Sequence, residues 1–269
     1  MRMIRRNFIM IYLILAAGGF VPTAVASAEL ASHKAFYVLE LAGGVKQGQA
    51  ITDVRGIVEI NHERACDGWT MFEHLRMELT TREGVVLSQD LRFTGWETLD
   101  GSTYRFAAKG VSPTSGLDIL GKGVKRPGDG EIIFDRPKGE RLAVPPDTRF
   151  PMSLLGWVVD QASSGKKRIK THSFDGTDSA GAELVTVFVN GKATPEFSPD
   201  LAGKAVLSAS GWNMRFAAFA PGQKSSEPAY AYDAVILENG ILTEAILEFS
   251  DFTVKQTLKR IDELPAPIC

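Results

Sequence analysis

Gly84-Val85-Val86-Leu87-Ser88-Gln89-Asp90-Leu91-Arg92-Phe93-Thr94 is the stretch whose pattern decides the fold. Val85, Leu87, Leu91 and Phe93 share one parity, while Ser88, Asp90 and Arg92 share the other. Successive side chains of a strand point to opposite faces, so this pattern predicts a half-buried strand. Upstream, Met71, Leu75, Met77 and Leu79 oppose Phe72, His74, Arg76 and Glu78. Downstream, Leu247 and Phe249 alternate with Glu244 and Glu248, and Phe252, Val254 and Leu258 oppose Lys255 and Lys259. Further strands are expected near 35–42, 54–65, 103–109, 131–135, 168–174, 183–190, 213–220 and 229–238. Between them stand Glu83-Gly84, Asp100-Gly101, Asp129-Gly130, Asp175-Gly176, Asn190-Gly191 and Asn239-Gly240. Asp-Gly and Asn-Gly supply the positive φ that tight hairpins require. Hairpin signals this closely spaced predict an all-β protein of about a dozen or more antiparallel, sequentially paired strands.

One segment breaks the period. From Pro151, the apolar residues Met152, Leu155, Val158, Val159 and Ala162 recur at three and four, which predicts one amphipathic helix near 151–164. Pro151 suits a first helical position and Gly165 a stop, while Gly156 is a mild cost. A single helix among strands is expected to plug or cap an open sheet and complete the core. Loops are expected at 110–130 and 191–205, and Pro145-Pro146 breaks the chain before the helix. None is a linker, so 29–269 reads as a single domain.

Composition bounds the function. The chain has 269 residues, 30 basic and 32 acidic, 44% hydrophobic, with 26 glycines, 13 prolines and two cysteines. That is long enough to bury a core without staples, and the near-neutral balance excludes a strongly basic nucleic-acid binder. Arg2, Arg5 and Arg6 precede an apolar run from Phe8 to Phe20, then Pro22 and the small residues Ala26-Ser27-Ala28. This predicts a cleaved signal peptide over 1–28. The run is shorter than the ~20 residues of a bilayer span. The mature chain would hold 241 residues, with 27 basic against 32 acidic and a net charge of −5. Export to the periplasm is the expectation.

In an exported chain, two cysteines and no third point to a Cys66–Cys269 disulfide, with a pair of free thiols as the alternative. The sequence offers neither Cys-x-x-Cys nor a histidine-rich spacing for zinc. Such a bridge spans 203 residues and would tie the Pro265-Ala266-Pro267-Ile268 tail to an early turn.

The run Ala65-Cys66-Asp67-Gly68-Trp69-Thr70, followed by a strand, resembles the signature of the EipB family of alphaproteobacterial cell-envelope integrity proteins. The leader, the pre-helical Phe150-Pro151, the mid-chain helix and the final cysteine occur in the matching order across the whole mature chain. The resemblance implies a periplasmic β-spiral, an overlapped and incompletely closed barrel, with a structural disulfide. Residue by residue it carries over only Cys66 and Cys269, and it transfers no catalytic set.

Other patterns are weaker. Gly116-Leu117-Asp118-Ile119-Leu120-Gly121-Lys122-Gly123 misses a phosphate-binding loop by one residue, because position 123 should be Ser or Thr. Pro127 and Gly128 follow where a helix should, and the periplasm lacks ATP, so a hairpin or surface loop is expected. His33, His62, His74 and His172 lack metal-ligand spacing, although His62 and His74 would meet if Cys66 to Trp69 is the turn between their strands. Glu59 with Glu63, and Glu244 with Glu248, read as solvated strand faces. Lys166-Lys167-Arg168 favours the helix C-terminus, or peripheral contact with anionic headgroups or lipopolysaccharide. Trp69, Trp96, Trp157 and Trp212 read as core or as cavity lining. No Gly-x-Ser-x-Gly elbow occurs.

The sequence therefore predicts a non-enzymatic periplasmic protein that maintains envelope integrity by binding another envelope component. A repeat-containing periplasmic protein is one such partner. The alternative is a carrier for a lipid or lipoprotein acyl chain on a concave apolar face. No catalytic residue, cofactor or metal is nominated, and a hydrolase assembled from dispersed residues has no candidate side chains.

Overall fold

A computed structural model describes residues 28–43, 49–113, 116–249 and 252–269. The expected leader therefore lies outside the described residues, except for Ala28. Fourteen strands appear among the described residues: β1 (His33–Leu41), β2 (Ile51–Arg64), β3 (Gly68–Thr81), β4 (Val86–Thr98), β5 (Thr103–Val111), β6 (Gly116–Arg126), β7 (Asp129–Arg136), β8 (Arg141–Ala143), β9 (Arg168–Ser173), β10 (Glu183–Ala193), β11 (Gly211–Phe219), β12 (Tyr230–Leu237), β13 (Leu242–Glu248) and β14 (Thr253–Glu263). The helix α1 (Pro151–Ser163) separates β8 from β9. All fourteen strands form one antiparallel sheet in the order β8-β7-β6-β5-β4-β3-β2-β1-β14-β13-β12-β11-β10-β9. The β1–β14 pair joins two meanders, and the edge strands are β8 and β9, the latter bridged in parallel by Arg149 at Ser173. The sheet is rolled but not closed.

The two ends of the roll overlap. The connection after β9 turns inward onto β5–β7, where the Phe174 ring lies 5.2 Å from Phe106 and 6.2 Å from Phe134. The Tyr104 hydroxyl donates to the Asp175 carbonyl at 2.6 Å. Gly176 has φ +82°, and a Cβ there would meet the Phe106 ring at 2.7 Å, so both backbone and space demand glycine.

The helix sits where its sequence expects. Met152, Val158, Val159 and Ala162 are buried, and Gly165 follows the C-terminus with φ +83°. Met152 joins a core with Tyr104, Phe106, Ile132, Phe134 and Phe150. Val158, Val159 and Ala162 join a second core with Val185, Val187, Trp212, Met214 and Phe216. One amphipathic helix thus supplies a face to both sides of the roll. Ala28 packs against the second core, and its backbone N–H donates to Asp160 at 2.5 Å.

Several expectations are corrected. Residues 116–126 are the strand β6, not part of a loop. Gly121 and Gly123 point inward beneath Phe106 and Phe150, where a Cβ would meet those rings at 2.7 and 2.5 Å. The glycines that suggested a phosphate loop make room for aromatic rings. Asp129-Gly130 opens β7, and the turn glycine is Gly128, with φ +81°. Asn190-Gly191 lies inside β10 at a register shift, so it is a bulge. His62 faces Met71 and Glu59 faces His74, which places the two histidines on opposite faces of the sheet. Val85 precedes β4 and is 53% exposed, so the apolar face of that strand begins only at Leu87.

Candidate functional site

Consecutive hairpins place their turns alternately at the two ends of the roll. One end is closed. The 65–67, 99–102, 127–128 and 238–241 turns lie there, with both ends of the described chain. Leu201, Val206 and Leu207, from the segment between β10 and β11, seal it against Ala35, Tyr37, Leu258 and Ile261. The bonded Cys66 and Cys269 sulfurs clamp the tail to the β2–β3 turn, with Cα atoms 5.7 Å apart. The opposite end is a mouth, and Val85, Val86, Val111, Tyr230 and Phe249 are exposed around it. Phe249 stacks on Phe252 at 4.6 Å.

At the closed end, the carboxylate of Glu97 is fully buried and accepts the backbone N–H groups of Met152 at 2.8 Å and Ser153 at 2.9 Å. Those are orphan donors of the first helical turn. Burial pushes the Glu97 carboxyl above its usual range, opposed by the hydrogen bonds from Ser153 and Met152 and by the Lys125 charge. A strand on one limb of the roll thereby anchors the helix that fills the other.

Inward rows run across the strands. One passes through Tyr37, Val58, Leu75 and Leu91, and the next through Ala35, Ile60, Glu73 and Phe93. Tyr37 and Ala35 are buried, but Val58, Ile60, Leu75, Leu91 and Phe93 are only half-buried. The Glu73 side chain is 43% exposed although it faces inward. The roll therefore encloses a water-accessible lumen with apolar walls.

Three inward carboxylates share that space. Glu73 meets His62 Nε2 at 3.3 Å, Asp175 accepts the backbone and hydroxyl of Thr177, and Glu183 accepts the Tyr230 hydroxyl at 2.6 Å. Burial raises the Asp175 carboxyl, against its Thr177 hydrogen bonds, with Asp178 and Glu73 adding to the rise. Burial also raises Glu183, and Asp175 and Asp178 contribute. The Tyr104 hydroxyl is raised by burial and then by the charges of Asp175, Glu97 and Glu73. Tyr232 is raised by burial, then by Asp175 and Glu183. Among the described residues, no Lys or Arg lies within ion-pair distance of these three carboxylates.

Beside them, His33 is buried and its ring stands edge-on to His62 at 5.6 Å. Burial and the neighbouring His62 lower its pKa to about 4, although its contact with the Ala31 carbonyl acts the other way. On the outer face, His74 lies between Asp90 at 3.0 Å and Glu59 at 3.7 Å. His172 meets Asp147 at 2.7 Å. No group of His, Cys, Asp and Glu among the described residues is arranged to hold a metal ion. No helix among them is long and apolar enough to cross a membrane. Trp69 and Trp212 are core residues, while Trp157 carries the Arg149 guanidinium at 4.0 Å.

Residues 24–265 match the family model described as EipB-like. The chain belongs to that family. It is similar to the cell envelope integrity protein EipB of Brucella abortus, at 25% identity over 245 residues, covering 89% of this chain and 86% of the relative. Its fold is similar to the crystal structure of a β-barrel-like protein of a domain of unknown function from Brucella abortus. That match has a TM-score of 0.80 and 21% identity, and covers 89% of this chain and 100% of the other. The β-barrel-like fold is thus shared. The comparisons tie this chain to cell-envelope integrity and assign no residue a role.

Sequence reasoning missed Glu97 and Glu73. The signal was present: Glu97 has the parity of Leu91 and Phe93, and Glu73 that of Met71 and Leu75. A carboxylate on the apolar parity of a strand marks either an internal partner or internal water.

Proposed function

We propose that this protein is a periplasmic, non-enzymatic factor that supports envelope integrity by binding another envelope component at the mouth of the lumen. The observation that carries the reading is the ring of exposed Val85, Val86, Val111, Tyr230 and Phe249 around a water-accessible interior. Soluble domains seldom leave apolar side chains grouped at one end unless that end meets something. A protein partner, a repeat-containing periplasmic one among them, would cover the rim. The test is affinity co-purification from intact envelope, comparing wild type with a Val86→Asp/Phe249→Asp variant. The reading expects a specific partner that the variant loses, and an envelope-stress defect in the deletion strain. Absence of both would overturn it.

A second reading is favoured by half-buried Val58, Leu75, Leu91 and Phe93, whose rows could hold an acyl chain. Lipid extraction and mass spectrometry of the protein purified from envelope separates the two. A stoichiometric lipid supports the carrier, and a lipid-free interior removes it.

A further inference from the structure

The outer face of β4–β7 carries a second concavity, unrelated to the lumen. It is a groove of about 460 Å³ that crosses the strands, within the size range of small-molecule sites. Registration explains its walls. Trp96, Arg105 and Lys122 stand directly opposite one another on β4, β5 and β6, forming one wall. Thr94, Ala107 and Leu120 form the other. The floor is the backbone of Gly95, Phe106 and Gly121, since the Phe106 ring points inward and is buried. Asp135 closes the far end.

The charged wall is unusual in energetic terms. Like charges placed directly opposite on neighbouring strands are destabilising, and Arg105 faces Lys122 in that way. Among the described residues, neither has a carboxylate within ion-pair distance, whereas nearby Arg92 and Arg136 are satisfied by Asp90 and Asp118. The Arg105 guanidinium lies 5.2 Å from the Trp96 ring centre, which holds the fork in place. Cross-strand neighbours are about 5 Å apart at Cβ, so one anion can engage both cations.

We propose that this groove binds a phosphorylated saccharide. The phosphate sits between Arg105 and Lys122, the apolar face of the sugar ring lies against Leu120 and Ala107, and hydroxyls donate to Asp135. A bare anion would leave the apolar wall and Asp135 unused. The inference is independent of what occupies the lumen. The chemistry is shared by a free sugar phosphate and by the headgroup of an envelope glycolipid.

The test uses the folded chain and two arms: glucose 1-phosphate in solution, and phosphatidylcholine vesicles containing lipid A. Glucose, inorganic phosphate and phosphatidylglycerol vesicles serve as controls. Saturable binding in either arm, weakened at least tenfold in R105Q/K122Q and by raised salt, supports the site, and the responding arm identifies the source. Lys122→Glu alone gives the same reading should loss of the Arg105–Trp96 stack disturb folding. A result in which inorganic phosphate or phosphatidylglycerol vesicles bind as well as the sugar arms overturns it. So does the absence of saturation in both arms, or a variant that binds like wild type.

Discussion

Removing the carboxylate of Glu97 leaves two N–H groups of the first helical turn buried without an acceptor. Glu97→Ala should therefore cost about 2 kcal/mol, a melting temperature lower by about 4–8 °C in thermal unfolding. His33 makes a pH prediction. Its folded pKa of about 4 lies below the unfolded value of 6.5, so the unfolded chain binds the extra proton between them. Its contribution is complete above pH 6.5 and is lost as pH falls towards 4. Raised Glu97, Asp175 and Glu183 act with the opposite sign, but they are common to wild type and variant. The stability difference between wild type and His33→Asn should change by about 3 kcal/mol between pH 7 and pH 4. A pH-independent difference in denaturant titrations would show that His33 has the same pKa in the folded and unfolded chains. Cys66→Ser should lower stability by about 2–5 kcal/mol, and reductant should bring wild type down to the same melting temperature. Equal melting with and without reductant would show the clamp idle.

At the scale of elements, what could be read in advance depended on whether a local rule matched the cause. Alternation found β3, β4, β13 and β14 because their inward rows are mostly apolar while their outer rows carry charged residues such as Arg76, Arg92, Glu244 and Lys255. The helix was readable for the same reason, since its stripe at 152, 155, 158, 159 and 162 has one dry side. β6 was not, because its inward positions are Gly121 and Gly123 and the rings that cover them come from Phe106 and Phe150. A glycine chosen by a distant ring looks, in sequence, like a glycine chosen by a turn. The contact is testable. Gly121→Ala would bring a Cβ to 2.5 Å from the Ile133 carbonyl, and it should cost about 1–3 kcal/mol by equilibrium unfolding. The cysteines were legible because a chain read as exported has few uses for a lone pair. The lumen was not, because its carboxylates lie on three separate elements.

For the whole molecule, the contrast between dry cores and wet lumen predicts two responses to the same change. Met71 is 3% exposed in a packed core, whereas Leu75, four residues further along β3 on the same face, is only half-buried where it packs beside Met77 and Val54. Met71→Trp should cost about 1–3 kcal/mol through overpacking. Leu75→Trp should cost less, because the half of Leu75 that is not packed against its neighbours borders water, which gives way. Similar losses at both positions, measured by chemical denaturation, would mean that the interior is packed throughout.

That β8 and β9 do not pair with each other has a mechanical consequence. A closed barrel has a circumference fixed by strand number and stagger, so it widens only by breaking a ladder of hydrogen bonds. A split collar has no such limit. Its bore can open or tighten as the overlapped ends slide, at the cost of contacts such as Phe174 on Phe106 and Phe134 and of the Arg149 bridge to β9, while every strand ladder stays intact. The helix, wedged between the ends and held by Glu97, is the natural stop for that travel.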